Sequence, residues 1–257
     1  MKTYVIGDIH GGTEALKQVL QRSPITKEDT LITIGDICDG WPFVYECVEL
    51  LLEYPNRIDI RGNHDETFIE WLDMGIHPFK WSQGALATAQ SYARYSDRDI
   101  SIQGNVNSGG VTNLAKTDIP DSHIDFFKKQ HYYYEDLKRN YCFVHGGFNR
   151  HEYISGQSKD ILIWDRDLWL QALSNDLRSQ LAKDKYPFKI KNRFDKVFIG
   201  HTPTINWNFY TPMFTNEVIN VDTGAGFGGK LTIMDVDTLE YWQSDSMKEI
   251  YPDIKGR

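Results

Sequence analysis

The chain has 257 residues, 40% of them hydrophobic and 25% charged, with a net charge of −8. That is ample material for a large core, and the acidic balance excludes non-specific gripping of nucleic-acid backbones, which needs excess lysine and arginine. It leaves a phosphate substrate open, because bound cations reverse the charge locally.

Lys2–Ile6 reads as a strand ending at Gly7. Ala15, Leu16, Val19 and Leu20 then have helical spacing, with Thr13 placed as N-cap and Pro24 as the stop. Residues 30–34 form a second apolar run. A helix is expected from Pro42 through Leu52, and Ile58–Ile60 is a third short strand. Strand, helix, strand, helix, strand at this spacing implies parallel pairing, with functional residues beyond the strands' carboxyl ends. From 66 to about 130 the pattern is mostly helical, apart from a Gly/Asn-rich loop around Gly104–Gly110, and is read as an insertion into a single domain spanning 1–257. Tyr141–Val144 resumes the strand pattern. Residues 168–182 suit a helix. Strands are expected at 196–199, 218–221 and 231–234, the last turning through 235–238 into 240–243. The expected class is α/β: two mixed sheets packed as a sandwich with helices outside.

Three cysteines, Cys38, Cys47 and Cys142, lack CxxC spacing, so neither a disulfide framework nor a thiolate zinc site is expected. Reduced thiols in the cytoplasm are the simpler reading. No secretion signal is visible before the first strand, and no apolar run approaches membrane-spanning length.

The chemistry concentrates at strand ends. Gly7-Asp8-Ile9-His10-Gly11, Gly35-Asp36-Ile37-Cys38-Asp39-Gly40, Gly62-Asn63-His64-Asp65, His145-Gly146-Gly147 and Gly200-His201-Thr202 each follow an apolar run. Two close divalent ions need several oxygen and imidazole ligands and a shared carboxylate. Asp8, His10 and Asp36 could serve one ion; Asp36, Asn63, His145 and His201 the other. With no thiolate in the set, manganese is the first expectation, with iron or zinc as alternatives. His77, His123, His131 and His151 match no motif and are read as solvated or locally hydrogen-bonded.

Taken in this order, the five motifs resemble those of the calcineurin-like metallophosphoesterases, and more closely the phosphoprotein phosphatase branch. That branch includes bacterial and phage serine/threonine phosphatases and symmetrical diadenosine tetraphosphatases. The resemblance runs from Gly7 to about Leu231, ending in Asn220-Val221-Asp222-Thr223-Gly224 and the glycines after it. It implies the metallophosphoesterase fold and hydrolysis of a phosphate ester by water activated between two metal ions. It further implies that His64 is the general acid, oriented by Asp39, and that Arg61, Arg166 and Asn63 bind the phosphate. A serine/threonine phosphoprotein phosphatase is the leading expectation; a nucleotide phosphohydrolase or phosphodiesterase is the alternative, and a non-catalytic metal-binding module a distant third. One position departs from the pattern: Gly40 stands where this branch carries an arginine.

Overall fold

The computed structural model describes residues 1–75, 84–105, 109–182, 188–215, 217–254 and 256. Its strands are β1 (Thr3–Ile6), β2 (Thr30–Thr33), β3 (Arg57–Asp59), β4 (Ile102–Asn105), β5 (Gly109–Thr112), β6 (Tyr133–Asp136), β7 (Tyr141–Val144), β8 (Lys196–Ile199), β9 (Met213–Phe214), β10 (Val218–Asn220), β11 (Thr232–Asp235) and β12 (Tyr241–Gln243). Its α-helices are α1 (Thr13–Arg22), α2 (Val44–Leu52), α3 (Asn63–Met74), α4 (Ala85–Ala93), α5 (Asp121–Lys128), α6 (Lys159–Trp164), α7 (Asp167–Ala182) and α8 (Met247–Ile250).

One five-stranded sheet runs β12-β11-β1-β2-β3 and the other β6-β7-β8-β10-β9. β1, β2 and β3 are parallel, as are β7, β8 and β10; β11, β12, β6 and β9 pair antiparallel. Both sheets are mixed, as the sequence led us to expect. Side chains alternate across each strand, and the alternation sorts the core into three layers. Val5, Ile32, Phe143, Phe198, Ile219 and Met234 point between the sheets, where Phe143 and Phe198 stack at 4.9 Å. Their neighbours Tyr4 and Ile6 face helices α1 to α5, and Cys142, Val144, Val197 and Ile199 face α7. Each fully buried large side chain is worth about 1.5–3 kcal/mol relative to exposure.

Two local expectations differ from the structure. Thr13 lies inside α1, with Gly12 at the cap; its hydroxyl donates instead to Phe43 O at 2.8 Å. The expected loop around Gly104–Gly110 contains a hairpin, β4 pairing antiparallel with β5 from Ile102↔Thr112 to Asn105↔Gly109. β-branched Ile102, Val111 and Thr112 favour strand there.

The parallel strands of both sheets end at one edge. Asp8 follows β1, Asp36 follows β2, and Asn63 and His64 open α3 after β3. His145, His201 and Asp222 follow β7, β8 and β10. Among the described residues no helix is long and apolar enough to cross a membrane.

Candidate metal centre

The turns that carry these side chains are tightly stitched. His10, Asp36, Asp39 and His201 all have left-handed backbone, with φ of 51, 50, 64 and 63°. Outside glycine this conformation costs on the order of 1–3 kcal/mol per residue and persists only where the surroundings enforce it. Here Ile9 N and His10 N both donate to Asp36 O, at 3.1 and 2.8 Å, and Trp41 N donates to His10 O at 2.8 Å. Asp65 ties the same turn to α3. Its carboxylate accepts from Ile37 N, Cys38 N, Gly62 N and the Gln130 amide, at 2.9–3.2 Å.

Two groups of possible ligands result: Asp8, His10 and Asp36, and Asp36, His145 and His201. In each group the donor atoms lie within 4.8 Å of one another, and all are buried. Asp36 belongs to both. His10 Nδ1 bonds Asp39 O at 2.7 Å, and His145 Nδ1 bonds Ile34 O at 2.9 Å. A carbonyl can only accept, so each ring carries its proton on Nδ1 and presents Nε2 to the centre. His145 Nε2 lies 3.3 Å from Asp36 Oδ2 and 3.1 Å from Asn63 Oδ1. His10 Nε2 lies 3.7 Å from Asp36 Oδ2. Asp8 Oδ2 accepts from His201 N at 3.0 Å. Asp8 Oδ1 and His201 Nε2 are buried with no hydrogen-bond partner among the described residues.

Beside the cluster, Asp39 Oδ2 bonds His64 Nδ1 at 2.7 Å, and the His64 ring meets that of His10 edge-on at 5.3 Å. His64 Nε2 has no partner among the described residues. A cleft of about 520 Å³ opens from Asp8, His10 and His201 toward Arg166, Leu170, Asn206, Trp207, Asp222 and Phe227. Arg166 Nη1 donates to His201 O and Thr202 Oγ1 at 2.9 and 3.0 Å.

The calcineurin-like phosphoesterase family matches residues 1–205. The chain is a calcineurin-like phosphoesterase. The asymmetrical bis(5'-nucleosyl)-tetraphosphatase PrpE of Bacillus mycoides is 26% identical over 259 residues, covering 93% of this chain and 92% of the relative. A symmetrical bis(5'-nucleosyl)-tetraphosphatase of Pseudomonas entomophila is 22% identical over 306 residues, covering 98% and 96%. Among solved structures, a serine/threonine phosphatase from Saccharomyces cerevisiae superposes with a TM-score of 0.57 at 14% identity, covering 100% of this chain and 82% of that one. This last likeness concerns the fold alone.

The residues of this phosphoesterase fit the family's divalent ions. Two buried atoms without partners, Asp8 Oδ1 and His201 Nε2, would otherwise leave desolvation uncompensated. The charge balance also calls for cations. Burial opposes ionisation of Asp36, but the charges of His145, His64 and His10 outweigh it and hold Asp36 well below the usual carboxylate range. Burial would depress His145, yet Asp36 and Asp8 push it up to about 9. Asp8 is raised by burial and by neighbouring Asp222, and His201 is lowered by burial, His145 and Arg166. Without metal, the pair of carboxylates holds a proton on His145 that a divalent ion would displace.

The structure turns Arg61 away from the expected phosphate role. Its Nη1 pairs with Glu66 at 2.9 Å and bonds the Tyr132 hydroxyl at 3.2 Å, while Nη2 bonds the carbonyls of Phe127 and Lys128. The side chain is a brace between α3 and the end of α5. At Gly40, φ is +121° and an added Cβ would meet His10 Cβ at 3.0 Å, so the turn is shaped against any side chain there. Of the unmatched histidines, His123 is buried between Glu49 and Tyr92, at 2.7 and 3.0 Å, and His131 and His151 are exposed. His77 lies outside the described residues.

Two residues near the centre escaped sequence reasoning. Asp222 had a usable signal, since it follows the apolar run Val218–Val221 as the other site carboxylates follow theirs. Thr88, which bonds Asp39, had none: it sits in an Ala-rich helix far from the motifs.

Proposed function

We propose that this phosphoesterase hydrolyses a nucleoside polyphosphate, using two manganese ions held by Asp8, His10 and Asp36 on one side and Asp36, Asn63, His145 and His201 on the other. The observation that carries the substrate class is the cleft: it continues past the cluster to a rim of Leu170, Asn206, Trp207 and Phe227, which suits a nucleoside better than a bare phosphate. The names of the two bacterial relatives support the same class. Gly40 supports it too, because a site with one fewer guanidinium is more open around the phosphate.

When bound, the ions polarise phosphoryl oxygens and make water a nucleophile near neutral pH. The chain supplies the rest. Arg166, on the cleft wall, pairs with phosphate oxygens outside the metal cluster. Asn63 contributes a neutral oxygen without adding charge. His64 holds its Nδ1 proton toward Asp39 and turns Nε2 to the departing oxygen, to which it gives a proton as the P–O bond breaks. In this reading residues 1–257 form one catalytic unit, because one apolar cluster runs unbroken from Tyr4 and Ile6 into α3, α4 and α5. A cytoplasmic setting fits three unpaired, buried cysteines.

A substrate panel with manganese tests the proposal. Dinucleoside polyphosphates should give kcat/KM at least about tenfold above phosphoserine and phosphothreonine peptides, a difference of ~1.4 kcal/mol in transition-state binding. The reverse order would establish the serine/threonine phosphatase reading, which uses the same cluster.

A further inference from the structure

We propose that Thr88, on a helix outside the five motifs, is a positioning residue for proton transfer, the third member of a His64–Asp39–Thr88 chain. The inference rests on the reading of His64 as general acid. Asp39 Oδ2 holds His64 Nδ1 at 2.7 Å. The other carboxylate oxygen, Oδ1, accepts the Thr88 hydroxyl at 2.6 Å, and the same hydroxyl oxygen accepts from Asp39 N at 3.0 Å. Thr88 therefore grips both ends of one residue whose backbone is in the left-handed region. Thr88 is fully buried, and Asp39 and His64 nearly so. At this depth a short hydrogen bond to a carboxylate is strong and directional.

The helix is built to deliver that hydroxyl. Gly84, which caps α4 with φ of +95°, lies against the catalytic turn: a Cβ there would stand 2.8 Å from Gly40 N and 3.1 Å from Asp39 Cβ. Only glycine lets the two backbones approach so closely. One turn after Thr88, buried Ser91 accepts from Tyr45 N at 2.9 Å and fixes α4 on α2. The polar face of α4 thus has two anchors, one on the scaffold and one on the acid's partner.

A threonine hydroxyl in this position restricts rotation of the Asp39 carboxylate. The His64 ring is then aimed by a group that cannot swing, and Nε2 stays directed at the leaving-group oxygen. Removing the hydroxyl withdraws two hydrogen bonds from Asp39 and touches neither metal ligands nor cleft wall. The expected defect is confined to leaving groups that need a proton.

The test compares manganese-loaded wild type, Thr88→Val, Thr88→Ala, Thr88→Ser and His64→Asn on phenyl phosphate and p-nitrophenyl phosphate. Thr88→Val should lower kcat on phenyl phosphate by on the order of tenfold or more and on p-nitrophenyl phosphate by less than about threefold, with KM little changed. Thr88→Ser should restore both rates. Should Thr88→Val not fold, Thr88→Ala carries the same expectation. Equal losses on the two esters, or none, overturn the proposal. His64→Asn separates the two readings: if it lacks leaving-group dependence, the acid assignment itself fails. A second readout needs no turnover. In the zinc-loaded proteins, where no paramagnetic ion broadens nearby protons, the hydrogen-bonded Nδ1 proton of His64, assigned by its loss in His64→Asn, should be seen by proton NMR in wild type and Thr88→Ser and broaden away in Thr88→Val. An unchanged resonance in Thr88→Val also overturns the proposal.

Discussion

Asp8, Asp36, Asn63, His145 and His201 are almost wholly removed from solvent, whereas Trp164, Arg166, Leu170, Asn206 and Phe227, around the same centre, are exposed. The floor is fixed by backbone. Its turns adopt left-handed residues, bond to one another, and are locked to α3 by Asp65. The rim is made of side chains on α6, α7 and the short turns after β8 and β10, with fewer restraints. On the proposed function, substitutions in the floor should cost the chemistry, and substitutions in the rim should change which substrate is preferred. If the proposed function holds, reaction type and substrate class are set by separate parts of the molecule and should fail separately.

The largest effect should come from the floor. Asp36→Asn removes the one carboxylate common to both ligand groups, and turnover should fall at least about 10⁴-fold, since metal-assisted water activation is lost outright. Steady-state kinetics at saturating manganese would check this; a loss below about tenfold would break the division between floor and rim. His64→Asn comes next. It should cost about 10²–10⁴ in kcat, the range for general acid catalysis, with metal content by elemental analysis unchanged. Coincident loss of metal would make His64 a ligand instead.

Proton competition gives a third, smaller effect. In the metal-free protein His145 is pushed up to about 9 by Asp36 and Asp8 against the opposing effect of burial, so it holds a proton at neutral pH. An incoming ion must displace that proton. Metal affinity should therefore rise by about tenfold per pH unit for each proton released, up to the point where His145 titrates unaided. Calorimetric titrations between about pH 6 and 8 in buffers of different ionisation enthalpy would show it; affinity independent of pH would contradict the charge account. The smallest effect belongs to the rim. Phe227→Ala removes a half-exposed ring and should raise KM for dinucleoside polyphosphates about five- to tenfold, in the range of one lost base-stacking contact, with kcat and metal content unaltered. No change in KM would remove Phe227 from the nucleoside site.

What the sequence could disclose follows the same division. Each floor residue sits where an apolar run gives way to a polar turn, a local signal that needs no knowledge of distant contacts, and the unbroken apolar runs around Val5, Phe143 and Phe198 mark strands buried on both faces. Arg61 shows the limit. Its place before Gly62-Asn63-His64 suggested the phosphate site, but direction is set by χ angles, and Glu66 and the carbonyls ending α5 draw the guanidinium the other way. Thr88 lies 49 residues from Asp39 in the chain, and nothing in an Ala-rich helix distinguishes a buried threonine that bonds a carboxylate from one that merely packs. The β4–β5 hairpin was hidden because its glycines read as loop composition although the strands' own pairing organises them.

The claim that Asp36 is the shared ligand of a two-metal centre is tested most directly by counting ions. Calorimetric titration of metal-free protein with manganese should give two ions per chain in the wild type. Asp36→Asn should weaken both binding events, whereas Asp8→Asn, altering a residue found in only one ligand group, should weaken one and leave the other near its original affinity. If Asp36→Asn keeps one ion at wild-type affinity, Asp36 serves a single metal and the shared centre described here is wrong.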